Sequence, residues 1–182
     1  MARAAFEKGF VSFGFSEHGM QPFDEIYCLT LASDAAYRAE VEALKAEYAG
    51  RMRIWLGVER DACADFDRAN YDYIIGSAHY LGACGGSIAV DSTEENLRAL
   101  IAEGFGGDPY RMTAAYFQNL ADYVESFRPE IIGHFDLVKK MNARFGFFDE
   151  SDPRYTGPAL DALSRAAKTG ALLDVNTGAI AR

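Results

Sequence analysis

Residues Tyr73-Ile74-Ile75-Gly76-Ser77-Ala78-His79-Tyr80 decide the fold. An apolar run ends in small residues and then a histidine, which is how a buried strand delivers one ligand to the open end of a sheet. Two other stretches repeat the design. Val11-Ser12-Phe13-Gly14-Phe15 leads into Ser16-Glu17-His18, and Pro129-Glu130-Ile131-Ile132-Gly133 leads into His134. These are the three histidines of the chain. Any one of them taken alone is more often a satisfied core residue than a ligand. Three of three just past an apolar run are not expected from scattered histidines. Neutral imidazole is the commonest protein metal ligand, so the pattern points to a metal site at one end of a parallel sheet.

Working outward, strand-like and helix-like segments alternate along the chain. Residues 2 to 9 read as the end of a helix stopped by Gly9, and 11 to 15 as a strand. Residues 19 to 33 read as a loop. Ser33 or Asp34 is expected to cap a helix running to about Tyr48, whose apolar positions Ala36, Tyr37, Val41, Leu44 and Tyr48 recur at about 3.6. Met52 to Val58 is the next strand, with Glu59 at its end, and Asp72 to Ile75 the one after. Gly82 to Gly86 is a glycine-rich turn that matches no phosphate-binding fingerprint. Thr93 caps a helix to Glu103, and Asp108-Pro109 starts a longer one to Phe127. The remaining expectations are a strand at Ile131 to Gly133, a short helix from Leu137 to Phe145, a helix from Pro158 to Thr169, and a last strand from Ala171 to Val175. Alternation of this kind implies right-handed crossovers and a parallel sheet covered by helices. Chemistry in such folds lies at the carboxyl ends of the strands, where His18, Glu59, His79, His134 and Asn176 all fall.

At 182 residues the chain suits one domain, 1–182, without repeats or linkers. Its 18 basic and 27 acidic residues give a formal net charge of −9. That balance argues against a broad nucleic-acid footprint, but not against a small anionic substrate held by metal and a few local cations. No apolar run is long enough for a membrane span, and no signal-peptide core is visible. Cys28, Cys63 and Cys84 lack metal-motif spacing and fit reduced thiols in a cytoplasmic protein.

Histidine and glutamate ligands favour Zn, Mn or Fe over Ca or Mg. The four candidates could hold one divalent ion, or two bridged by Glu59. Two ions would orient a water, lower its pKa and stabilise charge on a phosphoryl group. Asp136 could orient a ligand or a water, or cap the helix that follows it. Arg144 could reach a phosphate, while Lys139 and Lys140 read as surface salt-bridging residues. Glu17 reads as a solvated carboxylate or a partner to His18. Ser77 and Asn176 are candidates for substrate binding.

Five ordered stretches resemble successive motifs of the PHP (polymerase and histidinol phosphatase) superfamily, in its histidinol-phosphate phosphatase branch. They are Phe15-Ser16-Glu17-His18, Gly57-Val58-Glu59, Ile75-Gly76-Ser77-Ala78-His79-Tyr80, Ile132-Gly133-His134-Phe135-Asp136-Leu137-Val138 and Leu173-Asp174-Val175-Asn176-Thr177-Gly178. The resemblance implies a distorted (β/α)7 TIM-like barrel with a multinuclear metal site that hydrolyses phosphomonoesters, as in histidine biosynthesis. It carries metal ligation onto His18, Glu59, His79 and His134, and places Asn176 at the edge of the site. The family's opening His-x-His strand and closing Asp-x-His strand are not among these residues. The chain is therefore expected to be truncated at both ends, to hide open barrel edges by self-association, and to hydrolyse histidinol phosphate poorly by itself. The alternatives are another phosphoesterase of the superfamily, or a catalytically weak metal-binding scaffold.

Overall fold

The computed structural model describes residues 1–21, 23–24, 26–62, 64, 67–81 and 88–175. The fold is mixed α/β. Five strands, β1 (Ser12–His18), β2 (Arg53–Asp61), β3 (Tyr73–Ser77), β4 (Ile131–Ile132) and β5 (Leu172–Leu173), form one sheet in the order β1-β2-β3-β4-β5. Strands β1 and β2 pair in parallel, as do β4 and β5. The chain divides into two compact units, residues 1–60 with 64–75 and residues 61–63 with 76–182.

In the first unit, α1 (Ala2–Glu7) is followed by Gly9 at φ 82°, the left-handed stop that the sequence suggests. Helix α2 (Leu31–Glu47) is capped by Thr30, three residues before the expected Ser33 and four before Asp34. Ser33 instead occupies the third helical position, and its hydroxyl accepts from the Thr30 N–H at 2.8 Å, completing a reciprocal cap. Asp34 is buried, accepting from the Tyr71 hydroxyl and from Arg38 Nε at 2.9 Å. The core of this unit joins Ala2 and Ala5 of α1, Val41 of α2, Tyr48, Met52, and Ile54 and Leu56 of β2.

Strands β1 and β2 are longer than the apolar runs suggested. Their register runs from Ser12 opposite Arg53 to His18 opposite Glu59. His18 and Glu59 are thus ladder residues rather than residues past the strand end, because a parallel ladder is held by backbone bonds and tolerates polar side chains at its rim. Two strand glycines have a packing reason. A Cβ on Gly57 would lie 2.2 Å from the Tyr73 ring and one on Gly14 2.6 Å from the Tyr73 hydroxyl. Tyr73 lies across both glycines and donates to the Phe15 carbonyl at 2.9 Å.

In the second unit, Thr93 caps α3 (Glu94–Ala99) as read, but the helix then widens into a π turn over Leu100–Gly104. Asp108 caps α4 (Pro109–Phe127), with Pro109 at its start. The expected helix over 137–145 is a 3₁₀ turn at Leu137–Lys139 and a single turn, α5 (Asn142–Phe145). Helix α6 (Pro153–Ala167) begins five residues before the expected Pro158, which lies inside it. The Asp152 side chain accepts from the Arg154 N–H at 2.8 Å, so Asp152-Pro153 supplies the cap and first-turn proline that Pro158 was assigned. Helices α4 and α6 pack together around Phe117, Leu120, Val124, Tyr155, Ala162 and Ala166, and Arg165 joins them through Asp122 and Glu125 at 2.5 Å. Among the described residues, no helix is long and apolar enough to cross a membrane.

Candidate functional site

The first unit supplies two donors. His18 ends β1 and Glu59 is its direct register partner on β2. Neighbouring residues in a parallel ladder project from the same face, and His18 Nδ1 lies 3.7 Å from Glu59 Oε2. The histidine side chain is 45% exposed and the glutamate 17%. Just beyond, the Gly19 N–H donates to the Glu59 carbonyl at 2.7 Å, fixing the turn that leaves β1. Glu17 precedes His18 and is exposed; alternation along a strand sends it to the other face.

The second unit holds His79, His134 and a residue that sequence reasoning missed, Asp61. His79 lies two residues past β3, and its carbonyl accepts from the Val90 N–H at 2.7 Å. Asp61 is 5% exposed. Its Oδ2 accepts the His79 N–H at 2.6 Å and lies 3.2 Å from His79 Nδ1. The His134 ring meets the His79 ring edge-on, with centroids 4.8 Å apart and planes at 75°. His134 has φ 21°, a sparsely populated conformation for a residue with a side chain. Its backbone is bracketed by two hydrogen bonds, Gly133 N–H to Gly76 and Leu137 N–H to the His134 carbonyl, both at 3.0 Å. Backbone strain of this kind collects at functional positions. Asp91 is charge-coupled to His79 and paired with Lys140 at 2.7 Å. Burial pushes the Asp91 carboxyl up, but the Lys140 ammonium outweighs it and holds the group below the usual carboxylate range.

Asp136 precedes the 3₁₀ turn but makes no side-chain cap, and pairs instead with Lys139 at 2.7 Å. Arg144 is exposed, its guanidinium 5.1 Å from the Phe145 ring centre. Ser77 is wholly buried at the end of β3. Asn176, Cys63, Cys84 and the Gly82 to Gly86 turn lie outside the described residues. Cys28 is half-buried. One sequence signal could have found Asp61. If the strand after Met52 is carried past Val58, residues 59 and 61 share a face by strand alternation.

No family model matches the chain. It is 33% identical over 186 residues to a protein of Deinococcus radiodurans named probable histidinol-phosphatase, covering 97% of this chain and 65% of that protein. It is 26% identical over 200 residues to the histidinol-phosphatase of Bacillus subtilis, covering 98% of this chain and 73% of that protein. A Schizosaccharomyces pombe protein named probable histidinol-phosphatase matches at 26% identity over 152 residues, 48% of its length. The chain thus spans about two-thirds or less of the length of the Deinococcus and fission-yeast relatives. Among solved structures, one assigned to the histidinol phosphatase HisK of Listeria monocytogenes superposes with a TM-score of 0.76 at 21% identity, over 97% of this chain and 75% of that one. At that identity the likeness is one of fold. In sequence the chain resembles the histidinol-phosphatases along nearly its whole length.

Proposed function

We propose that this relative of the histidinol-phosphatases is a cytoplasmic, metal-dependent phosphomonoester hydrolase acting on a small substrate of the histidinol-phosphate type. The reading takes residues 1–182 as one domain built on a distorted (β/α)7 barrel that self-associates. The observation that carries it is the donor set. His18 and Glu59 form one register pair in the first unit, and His134 lies against His79 in the second. Two or three imidazoles with one carboxylate suit Zn, Mn or Fe, and not the all-oxygen preference of Ca or Mg. A bound divalent ion supplies Lewis acidity toward a phosphoryl oxygen. The chain's own groups then have separate tasks. His18, Glu59, His79 and His134 hold the ion. Asp136 orients a ligand or a water, and the exposed Arg144 meets phosphate charge. Ser77 and Asn176 border the substrate.

A solved histidinol phosphate phosphatase of Lactococcus lactis, with a TM-score of 0.50 and 19% identity, was crystallised with Zn, L-histidinol and phosphate. That description supports the choice of metal and substrate class. The acidic balance of the chain, −9, supports a small ligand over nucleic acid.

The test is release of inorganic phosphate from histidinol phosphate, with Mn²⁺, Zn²⁺ or Fe²⁺ and with chelator. Release that requires added metal and is lost in Glu59→Gln and His79→Gln is expected. Release indifferent to chelator, or none at saturating metal, would contradict the hydrolase reading. A panel of other phosphomonoesters then separates this substrate from those of related phosphoesterases.

A further inference from the structure

We infer that Asp61 is a positioning residue that fixes the tautomer and ring orientation of His79, and thereby sets the affinity with which His79 binds a metal ion. The inference rests on the metal-binding reading above. It stands on the arrangement of three groups. The Asp61 carboxylate is almost fully buried, a position that costs free energy unless its oxygens are hydrogen-bonded. A single oxygen, Oδ2, accepts the His79 backbone N–H at 2.6 Å and lies 3.2 Å from His79 Nδ1. One carboxylate oxygen therefore holds both the main chain and the ring of the same residue. Two-point attachment of this kind limits the rotation of the side chain about its first torsion.

The chemistry of the contact also selects a tautomer. In a neutral imidazole one nitrogen donates and the other accepts. An ionised carboxylate only accepts, so the proton belongs on Nδ1 and the lone pair on Nε2. That leaves Nε2 as the atom able to bind a metal, as when carboxylates orient ligating histidines in known metal sites. The His134 ring packs against the His79 ring on one side, with centroids 4.8 Å apart. Asp61 acts on the metal through His79.

The experiment combines Co²⁺ titration with nitrogen NMR of ¹⁵N-histidine-labelled chain. The metal-free wild type should show His79 with its proton on Nδ1. Asp61→Asn keeps an oxygen that can accept the backbone N–H but removes the negative charge. It should weaken Co²⁺ binding by about 10–100-fold, shift the visible Co²⁺ absorption, and leave the far-ultraviolet circular dichroism unchanged. Asp61→Glu should restore part of the affinity. Equal Co²⁺ affinity in wild type and a folded Asp61→Asn overturns the inference and leaves the metal reading standing. If Asp61→Asn does not fold, the wild-type spectrum decides, and a proton on Nε2 of His79 overturns it. Absence of Co²⁺ binding by the wild type would overturn the metal reading and, with it, the role of Asp61.

Discussion

Glu17 and Glu59 are both carboxylates next to His18, one in sequence and one across the ladder, and only the second shares its face. Glu59 Oε2 lies 3.7 Å from His18 Nδ1, while Glu17 is exposed. Glu59→Gln is therefore expected to lower bound metal by more than the ~10–100-fold typical of an outer partner. Glu17→Gln should leave it near the wild-type level. Metal content after dialysis, measured by atomic emission, checks this, and equal loss in the two variants would count against Glu59 as a ligand. The three histidines were legible in the sequence because each follows an apolar run, and a run of that kind is a local signal. Asp61 was missed, because its role depends on a residue 18 positions away, and only carrying the strand past Val58 places it on the face of Glu59. Asp136 could be read two ways from sequence, and its side chain makes no helix cap but an ion pair with Lys139.

At the scale of elements, Asp72 joins three pieces of the first unit just before β3. Its Oδ2 accepts the Leu56 N–H of β2 at 2.8 Å and meets Lys45 Nζ of α2 at 2.6 Å. Burial pushes the Asp72 carboxyl up, but Lys45 and the Leu56 N–H together hold it below its ordinary value of 3.8. A carboxylate with a depressed folded-state pKa binds protons more readily in the unfolded chain, so its contribution is fully present above about 3.8 and fades as pH falls through the folded value. Asp72→Asn should destabilise the protein at pH 7, and the gap to wild type should shrink below about pH 4. The side chain is 33% exposed, so salt should reduce the effect as well. Urea denaturation of both proteins at the two pH values checks the sign, and a gap that widens in acid would contradict it. Elements with long periodic patterns, α2 and α4, were read nearly to their ends. Those that depend on tertiary support were not. The ends of β1 and β2 are held by the partner strand, the turns over 137–145 are too short to show a helical period, and the start of α6 is fixed by Asp152 rather than by its internal proline.

For the whole molecule, alternating strands and helices made the mixed α/β class and the parallel sheet legible from the sequence. Five ordered stretches made the histidinol-phosphatase resemblance legible, and the Deinococcus and Bacillus relatives bear it out. What a linear reading could not provide is the spatial grouping of donors. The chain carries His18 and Glu59 as one register pair in the first unit, and His79, His134 and Asp61 as one cluster in the second. The central claim is that His18, Glu59, His79 and His134 bind a divalent ion together. Crystals of the chain grown with Mn²⁺ and measured at wavelengths across the manganese absorption edge test it most directly. The account predicts an anomalous peak within bonding distance of Glu59, His79 and at least one of His18 and His134. A peak bound by other residues alone, or no peak at saturating Mn²⁺, Zn²⁺ or Fe²⁺, would contradict it.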